Sequence, residues 1–312
     1  MTADLFPVRQ PLVVAYGAGV DSTAMLVGMV ARGIKPDAIL FADVGGEKTE
    51  TYAYLPVINA YLSAAGFPCV TVVKYQPKNF KHYPPYASLE ENCLTNGTLP
   101  SEAFGFGSCS QKWKAAPQKT WLQNWAPAAE CWASGGKVLR AIGFDDSCAD
   151  QKRTYRAESI ADERFEYWYP LQEWHWDRAE CMRQIAAAGL PIPLKSSCFF
   201  CPNMAPAEVR ALPAEKLRRI VLMEARAKPR LTKIDGLWRN GVKGKKDPAK
   251  KRPGRMTDFI LSERLLPAHE VHHIERNVPA ELLDRAEAFA NGLDVEGWDD
   301  VLGSLTDGCI AV

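Results

Sequence analysis

The chain has 312 residues, of which 47% are apolar and 24% are charged, and its formal net charge at pH 7 is +1. This length and composition predict an ordinary globular protein with one large domain or two smaller ones. The balanced charge excludes a global preference for nucleic acid or membrane surfaces, and no apolar stretch reaches the roughly 18 residues of a membrane-spanning helix. Since residues 1–10 also lack the pattern of a signal peptide, we predict a cytoplasmic protein without a membrane partner.

The first informative stretch is residues 12–30, which read LVVAYGAGVDSTAMLVGMV. It predicts a buried strand, a turn that holds Gly17 and Gly19, and a helix that begins near Asp21. The N–H groups at the start of a helix attract an anion, and small turn residues let a phosphate approach the main chain. The turn lacks the lysine of a P-loop and the third glycine of the dinucleotide-binding motif. The alternative is that Asp21 and Ser22 only cap the helix.

Strand and helix patterns alternate through the rest of the N-terminal two thirds. Strands are predicted near residues 38–42, 70–73, 138–144 and 165–171, and helices near residues 49–65 and 177–188. This alternation predicts an α/β fold, a parallel twisted sheet with helices on both faces, whose ligands bind beyond the carboxyl ends of the strands. Asp43 ends the second strand, where a carboxylate can accept hydrogen bonds from a ribose; the alternative is a turn cap.

Two other segments have a distinct composition. Residues 76–107 show no regular period and are predicted as a long loop. This loop either covers a functional site or is an ordinary surface loop. Residues 239–255 hold eight lysines and arginines, which favours a basic loop attractive to phosphate backbones; a solvated surface loop is the alternative. The pattern after residue 205 is helical. We therefore predict two domains: residues 1–205, with the sheet and a cysteine site, and a helical region, residues 206–312.

The nine cysteines are an odd number for a disulfide framework, which a chain of this size does not need. Cys198 and Cys201 are separated by two residues and followed by Pro202, a spacing typical of zinc and iron–sulfur ligands. A thioredoxin-type redox pair or two structural cysteines are the alternatives. Cys109 opens a helix that is rich in lysine and tryptophan, a position that suits a thiolate ligand or a nucleophile. Cys309 is predicted to be inert.

Several of these motifs resemble segments of one protein superfamily. The run YGAGVDST resembles the SGGxDS pyrophosphate loop of the PP-loop, or adenine nucleotide α-hydrolase-like, superfamily, with Tyr16 in place of the first serine and Ala18 in place of the second glycine. The run FADVGGEKTETY resembles its Asp-Thr-Gly…Glu-Thr-Tyr segment. The runs SCSQKWK and SSCFFCP resemble the cysteine segments of its phosphoadenosine phosphosulfate (PAPS) reductase-like members. The resemblance covers roughly residues 10–205.

The resemblance implies a Rossmann-like sheet of the HUP type and an enzyme that cleaves ATP to AMP and pyrophosphate, adenylates an acceptor and transfers sulfur to it. The catalytic residues implied are Asp21, which helps to hold Mg²⁺, Ser22 and Cys109. The nucleotide-contacting residues implied are Tyr16, Gly17, Ala18, Gly19, Val20, Asp21, Ser22, Thr23, Asp43, Gly45, Glu47, Arg140, Gly143 and Arg153. Phe144 stands where the family has an arginine, so a phosphate-binding cation must come from Arg140, Arg153 or Arg156.

The resemblance also implies that Cys109, Cys198 and Cys201 ligate a 4Fe-4S cluster, with zinc as the alternative. Three cysteines are candidates for the fourth ligand, namely Cys93, Cys131 and Cys148, and the alternative is that no fourth cysteine ligand exists. The basic loop and the helix rich in lysine and tryptophan point to a nucleic acid such as tRNA or DNA as the acceptor. A sulfur donor or reductant protein is a further expected partner. The sequence does not decide whether the chain forms a homodimer.

Two other functions fit the same motifs. One is the reduction of a sulfonucleotide such as PAPS or APS without ATP hydrolysis. The other is a nucleotide-binding regulatory or defence module whose cysteine site is structural zinc.

Overall fold

The computed structural model describes residues 9–158, 162–243, 251–278, 283–284 and 297–307. The chain forms two compact units, each assembled from separate segments. The first unit comprises Met1–Asp43, Glu47–Lys74 and Lys114–Ser196, and the second comprises Val44–Gly46, Tyr75–Trp113 and Ser197–Val312. This division differs from the predicted boundary at residue 205, because residues 75–113 and 197–205 belong to the same compact unit as the helical region.

The described residues form seven strands and fourteen helices. The strands are β1 (Leu12–Tyr16), β2 (Ala38–Asp43), β3 (Val70–Lys74), β4 (His82–Tyr83), β5 (Val138–Ile142), β6 (Phe165–Trp168) and β7 (Leu283–Asp284). The helices are α1 (Val20–Ala31), α2 (Thr49–Ala64), α3 (Leu89–Thr95), α4 (Ser108–Ser110), α5 (Ala116–Gln123), α6 (Ala126–Ala133), α7 (Cys148–Glu158), α8 (Pro170–Glu173), α9 (Arg178–Ala187), α10 (Pro206–Arg210), α11 (Ala214–Ala227), α12 (Met256–Ser262), α13 (Ala268–Asn277) and α14 (Trp298–Asp307). A π-helical turn, Gln111–Ala115, joins α4 to α5.

The first unit contains a five-stranded sheet in the order β3-β2-β1-β5-β6, and all of its strand pairs are parallel. Every residue of β2 is buried, as expected for a parallel strand that is covered on both faces. Helices α1 and α9 pack on one face, through residues such as Leu26 and Ile185, and α5 and α6 pack on the other, through Leu122 and Ala128. The predicted α/β fold with a helical C-terminal region is confirmed.

The strand order places a topological switch point between β1 and β5. Successive strands β1, β2 and β3 extend the sheet in one direction, whereas β5 returns to the other side of β1. Ligands of such sheets bind in the crevice beyond the strand ends at this point. Gly143 directly follows β5, and a Cβ atom at Gly143 would lie 2.8 Å from the Cα atom and 2.9 Å from the main-chain nitrogen of Ser22. The end of β5 therefore touches the main chain of the first turn of α1.

The second unit contains a short helix where the sequence predicts a loop. The predicted loop 76–107 includes α3, so that prediction is wrong there. Ser88 and Glu91 form a capping box: the Ser88 hydroxyl accepts from the Glu91 N–H at 3.1 Å, and the Glu91 carboxylate accepts from the Ser88 N–H at 3.2 Å. The Ser-x-x-Glu spacing was the available signal, but a helix of seven residues is too short to show a clear period.

The base of the basic loop is anchored to the core of the second unit. The buried carboxylate of Glu224 accepts hydrogen bonds from the N–H groups of Leu237, Met256 and Thr257, which flank the loop on both sides. Val242 and Arg252 pair as an isolated antiparallel bridge. Residues 244–250 of this loop, and Cys309, lie outside the described residues. Across the part of the chain that is described, no helix combines the length and the apolar character needed to cross a membrane.

The contact at Gly143 gives a test of the fold. We expect Gly143→Ala to lower the free energy of unfolding by about 1–3 kcal/mol, because the added methyl group meets main-chain atoms that cannot rotate away. Gly303→Ala is the matched control, because nothing lies within 4 Å of its Cβ position. Since alanine stabilises a helix by about 0.5–1 kcal/mol relative to glycine, this variant should be more stable than the wild type. Urea unfolding measures the free energy of unfolding of both variants. A Gly143→Ala variant as stable as the wild type would contradict the close approach.

Candidate functional site

The glycine turn after β1 is held in shape by Ser22. Its hydroxyl accepts from the Gly17 N–H at 3.2 Å and donates to the Gly19 carbonyl at 3.3 Å. Ala18 has a φ of +54°, a left-handed conformation that favours glycine. Gly19 is the N-cap residue of α1 and has no side chain to bond the first-turn N–H groups, an arrangement that favours an anion at this end of the helix.

Four of the residues predicted around this turn have buried side chains. Tyr16, Ala18, Val20 and Thr23 are at most 3% exposed. The Tyr16 hydroxyl lies 3.2 Å from the Thr23 hydroxyl, and burial raises the pKa of Tyr16. Any contact of these four residues with a nucleotide must therefore be made by the main chain, as the glycine turn allows.

Three carboxylates meet beside the turn. Asp21 in the first turn of α1, Asp145 after β5 and Asp150 in the first turn of α7 each place an oxygen within 4.8 Å of the other two. Among the described histidine, cysteine, aspartate and glutamate side chains, this is the only group of three at that spacing. A set of carboxylate oxygens is the donor set that Mg²⁺ and similar hard cations prefer. Asp145 and Asp150 were missed in the sequence, where only the run Asp145-Asp146-Ser147 after a strand hinted at them.

Two arginines neutralise part of this negative charge. Arg178, the first residue of α9, donates to both oxygens of Asp21 at 2.7 and 2.8 Å. Arg153 donates to Asp150 at 2.8 Å. Burial raises the pKa of Asp21, the Arg178 hydrogen bond and charge lower it, and the carboxylates of Asp145 and Asp150 raise it again. Arg153 was predicted as a phosphate-binding cation, whereas Arg178 belongs to no motif in the sequence.

A second polar group lies at the end of β2. Asp43 accepts from the Tyr52 hydroxyl at 2.6 Å and pairs with Lys74 at 2.9 Å. The buried Glu47 pairs through Oε1 with Lys114 at 2.8 Å, and its Oε2 atom has no partner among the described residues. Both oxygens of Asp43 thus have partners within the protein, and its contact with a ribose stays a prediction.

Arg140 and Gly45 were predicted to contact the nucleotide, and the structure shows packing contacts for both. Arg140 is buried under α5, where it donates to Gln118 at 2.5 Å and its guanidinium lies 5.4 Å from the centre of the Phe165 ring. Burial lowers the pKa of Arg140. Gly45, in the second unit, has a φ of +71°, and a Cβ there would lie 2.4 Å from the Cβ of Ser88. Packing thus accounts for the buried guanidinium at position 140 and for glycine at position 45.

The three predicted cysteine ligands all belong to the second unit. Cys198 is buried in its core, and Cys109 and Cys201 are partly buried against the same core. The Cys201 N–H donates to the Cys198 carbonyl at 3.0 Å, which makes a tight turn. The phenylalanines between them, Phe199 and Phe200, are buried with ring centres 4.9 Å apart, so they anchor the turn in the core.

No protein-family model matches this chain, and a search of curated proteins finds no significantly similar sequence.

The carboxylate group gives a second test. We expect Mn²⁺, a paramagnetic substitute for Mg²⁺, to bind the wild type and to be lost on acidification, because the ion needs ionised carboxylates. Since the pKa of Asp21 is raised, this loss should begin at a higher pH than an ordinary aspartate would cause. Electron paramagnetic resonance of free Mn²⁺ from pH 4 to pH 8 measures it.

Asp21→Asn should lower Mn²⁺ affinity by at least tenfold, whereas Asp146→Asn, which changes a neighbouring carboxylate outside the group of three, should leave it unchanged. Equal Mn²⁺ binding by Asp21→Asn and the wild type would rule out this site.

Proposed function

We propose that the protein is an ATP-dependent sulfur-transfer enzyme of the PP-loop type, which cleaves ATP to AMP and pyrophosphate and adenylates an acceptor. The observation that carries the proposal is the group Asp21, Asp145 and Asp150 beside an uncapped glycine turn at the switch point of the sheet. An anion-binding turn next to a cation-binding carboxylate group suits a metal-bound polyphosphate.

Each part of the turn has a role in this reaction. The first-turn N–H groups of α1 would bind the phosphate oxygens and stabilise the pyrophosphate as it leaves. Ser22 keeps the turn in shape through its two main-chain hydrogen bonds, so it acts as a positioning residue. Asp21, Asp145 and Asp150 would hold Mg²⁺, which supplies charge neutralisation for the phosphates. Arg153 and Arg178 are cations at the same place, and each is at least 45% exposed.

The carboxylates favour ATP cleavage over the reduction of a sulfonucleotide. Three carboxylates beside the turn would repel an anionic sulfonucleotide, whereas the phosphates of ATP bind together with a divalent cation that the carboxylates attract. In an ATP-cleaving enzyme the same carboxylates have a purpose. The cysteine site would carry the iron–sulfur cluster that handles sulfur.

The acceptor that we propose is a nucleic acid bound through the lysines of the basic loop. Lys243 and Lys251 are exposed, whereas Arg252 donates to the Trp238 carbonyl and Arg255 pairs with Asp258 and Glu275. Trp113 is only 2% exposed, so the helix rich in lysine and tryptophan cannot stack that ring on a base. Lys243→Ala with Lys251→Ala should weaken the binding of labelled tRNA or single-stranded DNA and reduce its salt dependence; unchanged binding would exclude this loop.

The reaction itself is tested with ATP labelled in the γ-phosphate. We expect labelled pyrophosphate, and not inorganic phosphate, to be released in the presence of Mg²⁺ and an acceptor such as bulk tRNA, because the turn holds the leaving pyrophosphate. Asp21→Asn should lower the rate by at least a hundredfold, roughly the loss expected when a group that stabilises the transition state is removed. Glu180→Gln is the control and should keep the wild-type rate, because the Glu180 carboxylate pairs with Arg183 and lies outside the group of three carboxylates. Absence of pyrophosphate release with every acceptor tested would reject ATP cleavage.

A further inference from the structure

A groove of about 1040 Å³ lies at the base of the basic loop, within the second unit. Its volume is at the large end of the range found for ligand pockets. Lys243 and Lys251 line it, together with Arg210, Asn240 and several residues of α10 and α12. The groove therefore offers both cations and uncharged polar groups to a ligand.

The two lysines are brought together by main-chain pairing. Val242 and Arg252 exchange two main-chain hydrogen bonds, at 2.8 and 3.1 Å. Since Lys243 and Lys251 are the next residues on the two antiparallel segments, they are neighbours across this pairing. Both lysines are exposed, and two adjacent ammonium groups attract the phosphates of a nucleic-acid backbone.

The three carboxylates that line the groove have partners within the protein. Glu263 accepts two hydrogen bonds from Arg210, at 2.9 and 3.0 Å. Asp258 accepts from Arg255 at 3.1 Å, and Asp235 accepts from a main-chain N–H at 3.2 Å. Because two of these carboxylates are paired with arginines, a phosphate at the lysines meets less repulsion from them.

Arg210 is placed to stack on a nucleic-acid base. Its guanidinium lies over the Phe259 ring, 5.0 Å from the ring centre, and the two hydrogen bonds to Glu263 hold it there. Phe259 is only 6% exposed, so a base cannot stack on the ring itself. The Arg210 side chain, by contrast, lines the groove and is 47% exposed. Since the flat face of a guanidinium stacks on bases, Arg210 provides a stacking surface that is in place before a ligand binds.

We propose that this groove binds the acceptor as a single-stranded nucleic acid, with an unstacked base on the Arg210 guanidinium and neighbouring phosphates at Lys243 and Lys251. The inference rests on the nucleic-acid acceptor of the proposed function and specifies its form. In a duplex the faces of the bases are covered by the neighbouring base pairs, so only its phosphates are available to the groove. A single strand offers both phosphates and base faces, and stacking of this kind tolerates many sequences because every base has a flat face.

The experiment measures the binding of fluorescently labelled oligonucleotides to the full chain by anisotropy. The probes are a single strand of mixed sequence, the same strand paired with its complement, and a strand of the same length with abasic sites in place of its bases. We expect the wild type to bind the single strand about tenfold more tightly than the duplex or the abasic strand, because stacking contributes only to the first.

Arg210→Lys separates stacking from charge. Lysine keeps the positive charge beside Glu263 but has no flat face, so this variant should bind the single strand about fivefold more weakly and should no longer prefer it over the abasic strand. Its salt dependence should equal that of the wild type. Arg183→Lys is the matched control, because Arg183 pairs with Glu180 in the first unit, and it should bind as the wild type does. Circular dichroism shows that each variant is folded.

Lys243→Gln with Lys251→Gln should give the opposite result, a weaker salt dependence with the preference for bases retained, because only phosphate contacts are removed. Equal binding of all three probes by the wild type would overturn the inference, and so would an Arg210→Lys variant that keeps the wild-type preference for bases.

The inference and the proposed reaction can fail separately. A wild type that releases pyrophosphate from ATP with a small-molecule acceptor but binds no strand would reject the groove and the nucleic-acid acceptor, while ATP cleavage would stand. A wild type that binds single strands through their bases and releases no pyrophosphate with any acceptor would support the groove and reject the proposed reaction.

Discussion

The main-chain contact between the end of β5 and the first turn of α1 is the constraint on which the candidate site depends. Gly143 lies against the main chain at Asp21 and Ser22 without a side chain between them. Because this contact closes the switch point on one side, the residues that follow β5 reach Asp21 directly. The group Asp21, Asp145 and Asp150 exists because two segments more than 100 residues apart in sequence touch through the main chain.

The balance of charges around Asp21 determines the free-energy cost of this group of carboxylates when no cation is bound. Three carboxylates within 4.8 Å of one another are unfavourable, and burial adds to the free-energy cost of keeping Asp21 ionised. Arg178 and Arg153 offset part of this cost through direct hydrogen bonds. A divalent cation would offset more of it, since it carries two charges and several ligand positions. Without a cation, the group of three carboxylates therefore lowers the stability of the fold.

The second unit is built from segments that are far apart in sequence. Its apolar core includes residues of α3, of the 3₁₀ helix Ser101–Phe104 and of the turn between Cys198 and Cys201. The phenylalanines Phe199 and Phe200 anchor that last turn, and the capping box at Ser88 and Glu91 fixes the start of α3. Apolar packing thus orders these segments.

Local features of the sequence were sufficient to predict the sheet, the glycine turn and the helix α1. Apolar runs, small turn residues and helical periods depend on neighbouring residues alone, so the five parallel strands and their flanking helices agree with the prediction. The left-handed φ of Ala18 also fits a turn position where glycine is favoured. By contrast, the burial of Tyr16 and Arg140, the helix inside residues 76–107 and the grouping of residues 75–113 with the helical region depend on tertiary packing.

The partners of Asp21 could not be read from the sequence, because they lie far from it along the chain. Arg178 reaches Asp21 across 157 positions, and Asp145 and Asp150 meet it only because β5 returns beside β1. The sequence by itself determined the fold class and the succession of strand, glycine turn and helix at its start, because these are local patterns. Only the tertiary structure decided which distant charges meet beside that turn, because such contacts depend on how the strands and helices pack.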